Sequence, residues 1–114
     1  QGAFRVAVLW RDKLNDRARA KKEFWRVYDQ HFTSRQTDDA LWEVARMERD
    51  DKNEDEACRA LSVLKEKKPD SRYNNCLHLL CPKLERSPRG CSRMIMEDLG
   101  LDPDSDWDDR PVKE

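Results

Sequence analysis

The 114-residue sequence lacks several features that would place it in a membrane or in a secretory precursor. No apolar run approaches the ~20 residues that a helix needs to span a bilayer. The chain starts at Gln1, without the methionine, basic region and apolar region of a signal peptide. We therefore expect a shortened N terminus, produced by natural processing or by the choice of expressed residues. No Asn-x-Ser/Thr sequon is present, so glycosylation gives no support for secretion.

Recognisable catalytic and calcium-binding motifs are also absent. Only two histidines occur, His31 and His78, and neither lies in a local pattern typical of a Ser/His or Cys/His dyad. The aspartates near the C terminus lack the central glycine and the terminal glutamate of an EF-hand loop. These aspartates are Asp102, Asp104, Asp106, Asp108 and Asp109. We therefore expect a non-catalytic protein without a cofactor.

Charge dominates the composition, since charged residues make up 41% of the chain and apolar residues 37%. Four Trp, three Phe and two Tyr still favour a folded domain, because aromatic rings give a thin core large buried areas. The net charge of −1 conceals blocks of alternating sign, basic in residues 1–36 and 57–94 and acidic in residues 37–56 and 95–114. Such blocks predict attraction between neighbouring helices. Alternatively, a basic face meets an acidic partner or nucleic acid.

Apolar periodicity predicts an all-α fold, a small bundle of four to five helices. Residues 3–11 alternate as a strand would, but no second stretch could pair with them, so we predict a helix. Because residues 3–32 contain neither glycine nor proline, one long helix is expected there, with a bend allowed near Asn15 and Asp16. Its inward face is predicted to carry Leu14, Ala18, Trp25, Tyr28 and Phe32.

Two further helices are predicted in the middle of the chain. The second helix, over residues 40–49, should begin after Thr37 or Asp38, whose side chains can cap its N terminus. The third should begin after Asn53, with Glu56 completing a capping box, and should end before the following proline. Its buried stripe is predicted to be Ala57, Ala60, Leu61 and Leu64.

Two more helices and a tail complete the predicted chain. The fourth helix should begin at a Ser71 cap, and a short fifth helix should end at Gly100. The predicted stripes are Tyr73, Leu77, Leu80 and Leu84 in the fourth helix, and Met94, Ile95 and Leu99 in the fifth. Residues 1–101 are therefore predicted to form a single helical domain, and residues 102–114 an acidic, largely irregular tail.

The four cysteines predict two disulfides that hold the fourth helix to its neighbours. On a helix, Cys76 and Cys81 lie about 60° and about 80° to opposite sides of the apolar stripe, which disfavours a bond between them. The preferred pairing is Cys58 with Cys81 and Cys76 with Cys91, because Cys58 and Cys81 are equally far from the turn at Pro69. The pairing of Cys58 with Cys76 and Cys81 with Cys91 is nearly as good.

A zinc site is a competing use of the same cysteines. Cys76, His78, Cys81 and Cys91 could supply four ligands, but they lack the paired C-x2-C knuckle that is common in structural zinc sites. In a helix, Cys76 and His78 would also point about 200° apart. We therefore predict no metal site.

One stretch combines the cations and rings of a binding surface. In RARAKKEFWRVY, five basic residues interleave with three aromatic ones, so cations could contact phosphates while rings stack on bases. The basic residues are Arg17, Arg19, Lys21, Lys22 and Arg26, and the aromatic residues are Phe24, Trp25 and Tyr28. Of these, Lys21, Lys22, Trp25 and Arg26 are the predicted binding residues. The same rings could instead continue the helix's own core stripe. Trp107 lies outside the periodic helices and is a second candidate for contact with a partner.

These features favour a small secreted protein that acts by binding a macromolecular partner, as an effector, a toxin or a cytokine-like ligand does. An even number of cysteines in a short chain is typical of such proteins. We expect a protein partner, and favour nucleic acid less. The alternative is an intracellular helical domain that binds protein or nucleic acid and keeps its cysteines reduced or zinc-bound.

Overall fold

The computed structural model describes residues 2–30 and 36–102. Its main helices are α1 (Gly2–Asp12), α2 (Arg17–Gln30), α3 (Gln36–Asp50) and α4 (Glu54–Lys67). A 3-10 helix (Arg72–Asn75) and two short helices, α5 (Leu77–Leu80) and α6 (Arg93–Asp98), follow. The described residues contain no strand, and the predicted all-α bundle with two disulfides is confirmed. Within these ranges, every helix is too short or too polar to cross a membrane.

α3 is the helix around which the others pack. It contacts α2, α4 and α5, and its buried residues are Thr37, Ala40, Leu41, Trp42, Val44, Ala45, Met47 and Glu48. So wide a buried surface is typical of a helix enclosed by neighbours, whereas a surface helix buries a single stripe. The indole of Trp42 stacks on the ring of Tyr73, with 4.6 Å between the centroids. The centre of the fold is therefore α3, and not the helix predicted over residues 73–84.

The long helix predicted over residues 3–32 is wrong, because the chain breaks between α1 and α2. Asn15 adopts a left-handed backbone conformation with φ of 55°, which asparagine tolerates better than most residues. The side chain of Asp16 then accepts a hydrogen bond from the backbone N–H of Arg19 at 3.0 Å, which caps the start of α2. The break lies at the bend that the sequence allowed, but it separates two helices.

The break also changes which face of α2 is buried. Its apolar core residues are Ala20, Phe24 and Val27, and the ring of Phe24 meets that of Phe4 in α1 edge-on. The predicted inward face is therefore wrong at Leu14, which is 58% exposed, and at Ala18, which is exposed, whereas Trp25 and Tyr28 pack half-buried against the core. The predicted position Phe32 lies outside the described residues. When the apolar spacing is counted across the break as if α1 and α2 were one helix, the wrong face of α2 is assigned to the core.

The two middle helices differ from the prediction at their N termini. α3 begins at Gln36, so Thr37 and Asp38 lie in its first turn and do not precede it. α4 starts after Asn53, as predicted, but the Asn53 side chain makes no capping hydrogen bond. It donates instead to the Glu48 carboxylate at 3.0 Å. The predicted α4 stripe is confirmed, since Ala57, Ala60, Leu61 and Leu64 are fully buried.

The continuous helix predicted over residues 73–84 is also wrong. The 3-10 helix, capped by Ser71, whose side chain accepts a hydrogen bond from the N–H of Tyr73, gives way to α5, and α5 ends at an extended Cys81. Cys81 precedes Pro82, whose ring disfavours helical backbone in the residue before it. Most of the predicted stripe is still buried, because Tyr73, Leu77 and Leu80 are buried while Leu84 is half-buried.

The disulfides join Cys58 to Cys81 and Cys76 to Cys91, which is the pairing preferred from the sequence. The first holds the end of α5 to α4, and the second holds the start of α5 to the segment before α6. Closing loops with sequence separations of 23 and 15 residues stabilises the fold by about 3 kcal/mol each, through the restricted unfolded chain.

The inward face predicted for the short helix α6 is confirmed at Ile95, which is buried, and at Leu99, which packs half-buried against the core, but it is wrong at Met94. Ser92 caps it by accepting a hydrogen bond from the N–H of Ile95. Ile95 and Met96 are buried, whereas Met94, predicted to face inward, is 64% exposed. Gly100 follows the helix with φ of 79°, as expected of a residue that ends a helix. Of the predicted tail, residues 102–114, only Asp102 is described.

Candidate binding groove along α2

An open groove of about 700 Å³ runs along the outer side of α2 and reaches α4. We call it the α2 groove. Its lining residues are Arg19, Lys22, Glu23, Trp25, Arg26, Asp29, Gln30, Glu48 and Arg59. Three of the residues predicted for binding, Lys22, Trp25 and Arg26, are therefore brought together in it. A groove of this volume is within the range of cavities that hold ligands or peptide side chains.

Glu23 holds two arginines in place at the groove. Its buried carboxylate accepts hydrogen bonds from Nε of Arg19 and from Nη1 of Arg26, both at 3.3 Å. The arginines lie one turn before and one turn after it, which is the spacing at which helix side chains meet. Both arginine side chains remain more than half exposed, at 53% and 54%. Each guanidinium is thus oriented by its hydrogen bond to Glu23, while its other N–H groups remain available to a ligand.

Trp25 contributes a ring whose surroundings restrict what it can bind. The guanidinium of Arg59, from α4, lies 4.5 Å from the centroid of the indole, within the range of a cation–π contact. Tyr28 meets the same indole edge-on, with 6.0 Å between centroids. Arg59 also pairs with Glu56 at 3.0 Å. Because the guanidinium covers one indole face, stacking of a nucleobase on that face would have to displace Arg59.

Lys21, the fourth predicted binding residue in this stretch, belongs to an ionic junction between α2 and α3. Its Nζ lies 3.0 Å from Oε1 of Glu48 and 2.7 Å from Oδ2 of Asp51, and its side chain is only 19% exposed. Arg17 also binds Asp51, at 3.0 Å, and donates to the backbone carbonyl of Met47. The junction therefore fixes the C-terminal end of α3 to α2.

The charges of the junction shift the pKa values of its members. Burial acts to lower the pKa of Lys21, but the contacts with Asp51 and Glu48 outweigh it and raise the pKa above the usual lysine value. The hydrogen bond from Lys21, assisted by Arg17, lowers the pKa of Asp51. Both shifts favour the charged forms, so the ion pairs persist at neutral pH.

The remaining tryptophans divide between the core and the edge of the α2 groove. Trp42 is buried in the core on α3. Trp10 is half-buried on α1, and the guanidinium of Arg19 lies 4.8 Å from its ring centroid. Trp10 therefore supports Arg19 from the α1 side. Trp107, the other residue predicted for binding, lies outside the described residues.

The electrostatic balance of the α2 groove is mildly positive, since four cations and three carboxylates line it. Two of the carboxylates, those of Glu23 and Glu48, are buried in internal ion pairs, whereas that of Asp29 is exposed. Lys22 is exposed and forms no ion pair with any described residue. Within residues 2–30 and 36–102, no three His, Cys, Asp or Glu side chains are grouped closely enough to hold a metal.

Glu23 and Arg59 of the α2 groove were missed by reading the sequence alone. The Arg19–Glu23–Arg26 cluster has helical spacing and could have been read from the sequence, because residues three and four apart meet on a helix. Arg59 gave no such signal, since its contact with Trp25 depends on how α4 packs. Comparison of the chain with protein-family models, with curated proteins and with solved structures found no match.

Proposed function

We propose that this chain is a small, non-catalytic secreted protein that binds a partner protein in the α2 groove. The observation that carries the proposal is the buried Glu23, which holds Arg19 and Arg26 in an open groove beside an exposed Lys22 that forms no ion pair with a described residue. Side chains that are oriented before binding lose less entropy when a partner arrives.

The disulfides support secretion. All four cysteines are paired, and the bonds connect α4, α5 and the segment before α6. Disulfides persist in oxidising compartments and are rare where thiols are kept reduced. Because the heavily charged chain buries a thin core, two cross-links contribute a large part of its stability. An effector, a toxin or a cytokine-like ligand would have these properties.

Selection from a display library of random dodecapeptides tests the proposal without requiring that the partner be identified first. The oxidised protein is immobilised, and enriched peptides are titrated against wild type and Lys22→Glu. We expect Lys22→Glu to weaken the enriched peptides by about tenfold, because it reverses a charge within the α2 groove. Lys65→Glu is the matched control, since Lys65 is an exposed helical lysine of α4 outside the groove lining.

The outcomes separate clearly. Peptides that bind wild type and Lys65→Glu equally but lose affinity for Lys22→Glu support a binding groove. Enriched peptides that are indifferent to Lys22→Glu would place binding elsewhere and overturn the assignment of the α2 groove. Both variants should keep the wild-type circular dichroism and the wild-type unfolding midpoint, since neither lysine makes an ion pair with the described residues.

A further inference from the structure

The cations of the α2 groove form a short, ordered row. Arg19, Lys22 and Arg26 lie at intervals of three and four residues, so they share one face of α2 over about 10 Å of helix axis. In an extended peptide, alternate side chains are spaced about 7 Å apart on one side. Two alternate carboxylates of a peptide therefore fit within the length of this row.

The three cations of the row differ in how they can bind a carboxylate. The two arginines are anchored on Glu23, so each presents a guanidinium of fixed orientation, the geometry that favours binding of a carboxylate through two hydrogen bonds. Lys22 lies between them as a mobile point charge. Three cations in a row, two of them oriented guanidinium groups, match a run of carboxylates better than a single isolated carboxylate.

Asp29 sets the far end of the row. It is exposed, lies three residues after Arg26, and lines the same groove. A carboxylate there repels the continuation of an acidic ligand but accepts a cation or an N–H donor. The α2 groove therefore suits a short acidic run, and it disfavours the uninterrupted negative charge of a nucleic acid. The guanidinium over Trp25 disfavours base stacking as well.

From this arrangement, and resting on the proposed function, we infer that the partner presents an acidic peptide segment whose carboxylates bind Arg19, Lys22 and Arg26. The carboxylate nearest Asp29 is followed by a neutral or basic residue. Asp29 thus determines the length of the acidic run that the groove accepts.

Fluorescence anisotropy with two labelled probes tests the inference on the intact, oxidised protein. The first probe is a fluorescein-labelled decapeptide with three central glutamates and neutral flanks, and the second is a single-stranded oligothymidylate of equal negative charge. We expect the peptide to bind more tightly than the oligonucleotide. We also expect Lys22→Glu to weaken the peptide about tenfold and Lys65→Glu to leave it within about twofold.

Asp29→Asn provides a gain-of-affinity test. Removal of the repelling carboxylate should strengthen binding of a longer probe, with six consecutive glutamates, by about threefold, while binding of the three-glutamate probe changes less. Strengthening of both probes to the same degree would contradict the proposed role of Asp29, because Asp29 would then act only through net charge. Raised ionic strength should weaken both peptides.

Three results would overturn the inference. They are tighter binding of the oligonucleotide than of the peptide, equal binding of the peptide to wild type and Lys22→Glu, and no detectable peptide binding at low salt. The display selection distinguishes the two levels of proposal. If its enriched peptides depend on Lys22 yet carry no acidic run, the acidic partner is wrong and the groove remains a binding site. If no enriched peptide depends on Lys22, both fail.

Discussion

Replacing Lys21 by methionine should destabilise the fold far more than the same change at its neighbour Lys22. Lys21→Met keeps the aliphatic stem and removes the ammonium that binds both Glu48 and Asp51. The Glu48 carboxylate then keeps the hydrogen bond from the amide of Asn53 but loses its ion pair with Lys21. Lys22→Met removes an equal charge from an exposed position that makes no ion pair with the described residues.

The expected cost of Lys21→Met follows from the burial of its partners. The Lys21 and Glu48 side chains are 19% and 10% exposed, and that of Asp51 is 29% exposed. Exposed ion pairs contribute at most about 1 kcal/mol, and removing one partner of a fully buried pair costs roughly 3–5 kcal/mol. The junction lies between these limits, so we expect a loss of about 2 kcal/mol for Lys21→Met, and less than about 0.5 kcal/mol for Lys22→Met.

Urea unfolding followed by tryptophan fluorescence, with the disulfides intact, measures both variants. A difference between them of less than about 0.5 kcal/mol would refute the assignment of Lys21 to a stabilising junction.

The pKa of Asp51 is lowered, so its contribution to stability is full above its unfolded pKa of about 3.9 and is lost as the pH falls through the folded value. The pKa of Lys21 is raised, so its contribution is full below about pH 10.4 and is lost as the pH rises through the folded value. The deficit of Lys21→Met should therefore be constant near neutral pH and should shrink towards both extremes.

Three further substitutions probe the core and the cross-links. Trp42→Ala should cost roughly 3–5 kcal/mol, because it removes a buried ring that stacks on Tyr73, and a midpoint close to wild type in urea would contradict that packing. Replacement of Cys76 and Cys91 together by alanine should cost about 3 kcal/mol and increase amide exchange in α6, whereas unchanged exchange would show that α6 is held by packing alone. Gly100→Ala should cost about 1 kcal/mol in thermal unfolding, because its φ of 79° is unfavourable for a residue with a side chain, while no atom of the described residues lies within 4 Å of the added methyl group. A neutral result would mean that the backbone relaxes.

The fold was predictable where local pattern and packing agree. In α4 the apolar spacing, the preceding Asn53 and the following proline all indicate one helix, and the structure has it. The break at Asn15 was allowed by the sequence but not required, because it depends on α1 folding back onto α2. The end of α5 at Cys81 could have been predicted from Pro82, which disfavours helical backbone in the residue before it. The helical spacing of the leucines continues past Pro82 and therefore predicted a longer helix. Periodicity finds a buried face, but backbone geometry decides where a helix stops.

The candidate site was predictable only in part, for a physical reason. Lys22, Trp25 and Arg26 are close together through the geometry of a single helix, so the sequence could group them. Lys21 is adjacent to them in sequence, yet its side chain turns towards carboxylates 27 and 30 residues away. Such a partner appears only when α2 and α3 are packed together. Local sequence therefore identifies a set of cations, and tertiary structure divides it into those that hold the fold and those that remain available.

The same division explains the alternating charge of the chain. Attraction between blocks accounts for the pairs from α1 and α2 to α3, in which Arg11 binds Glu43 at 2.6 Å and Lys21 binds Glu48 and Asp51. Attraction between the blocks of the fold does not account for Lys22, which has no opposite charge to meet among the described residues. An unpaired cation on a helix costs little when solvated, so its presence alone demands no partner.

The buried Glu23 is the feature that folding leaves unexplained, because desolvating a carboxylate is expensive and its hydrogen bonds serve to orient two exposed arginines. A fold that needed only stability would be served as well by an apolar residue at that position.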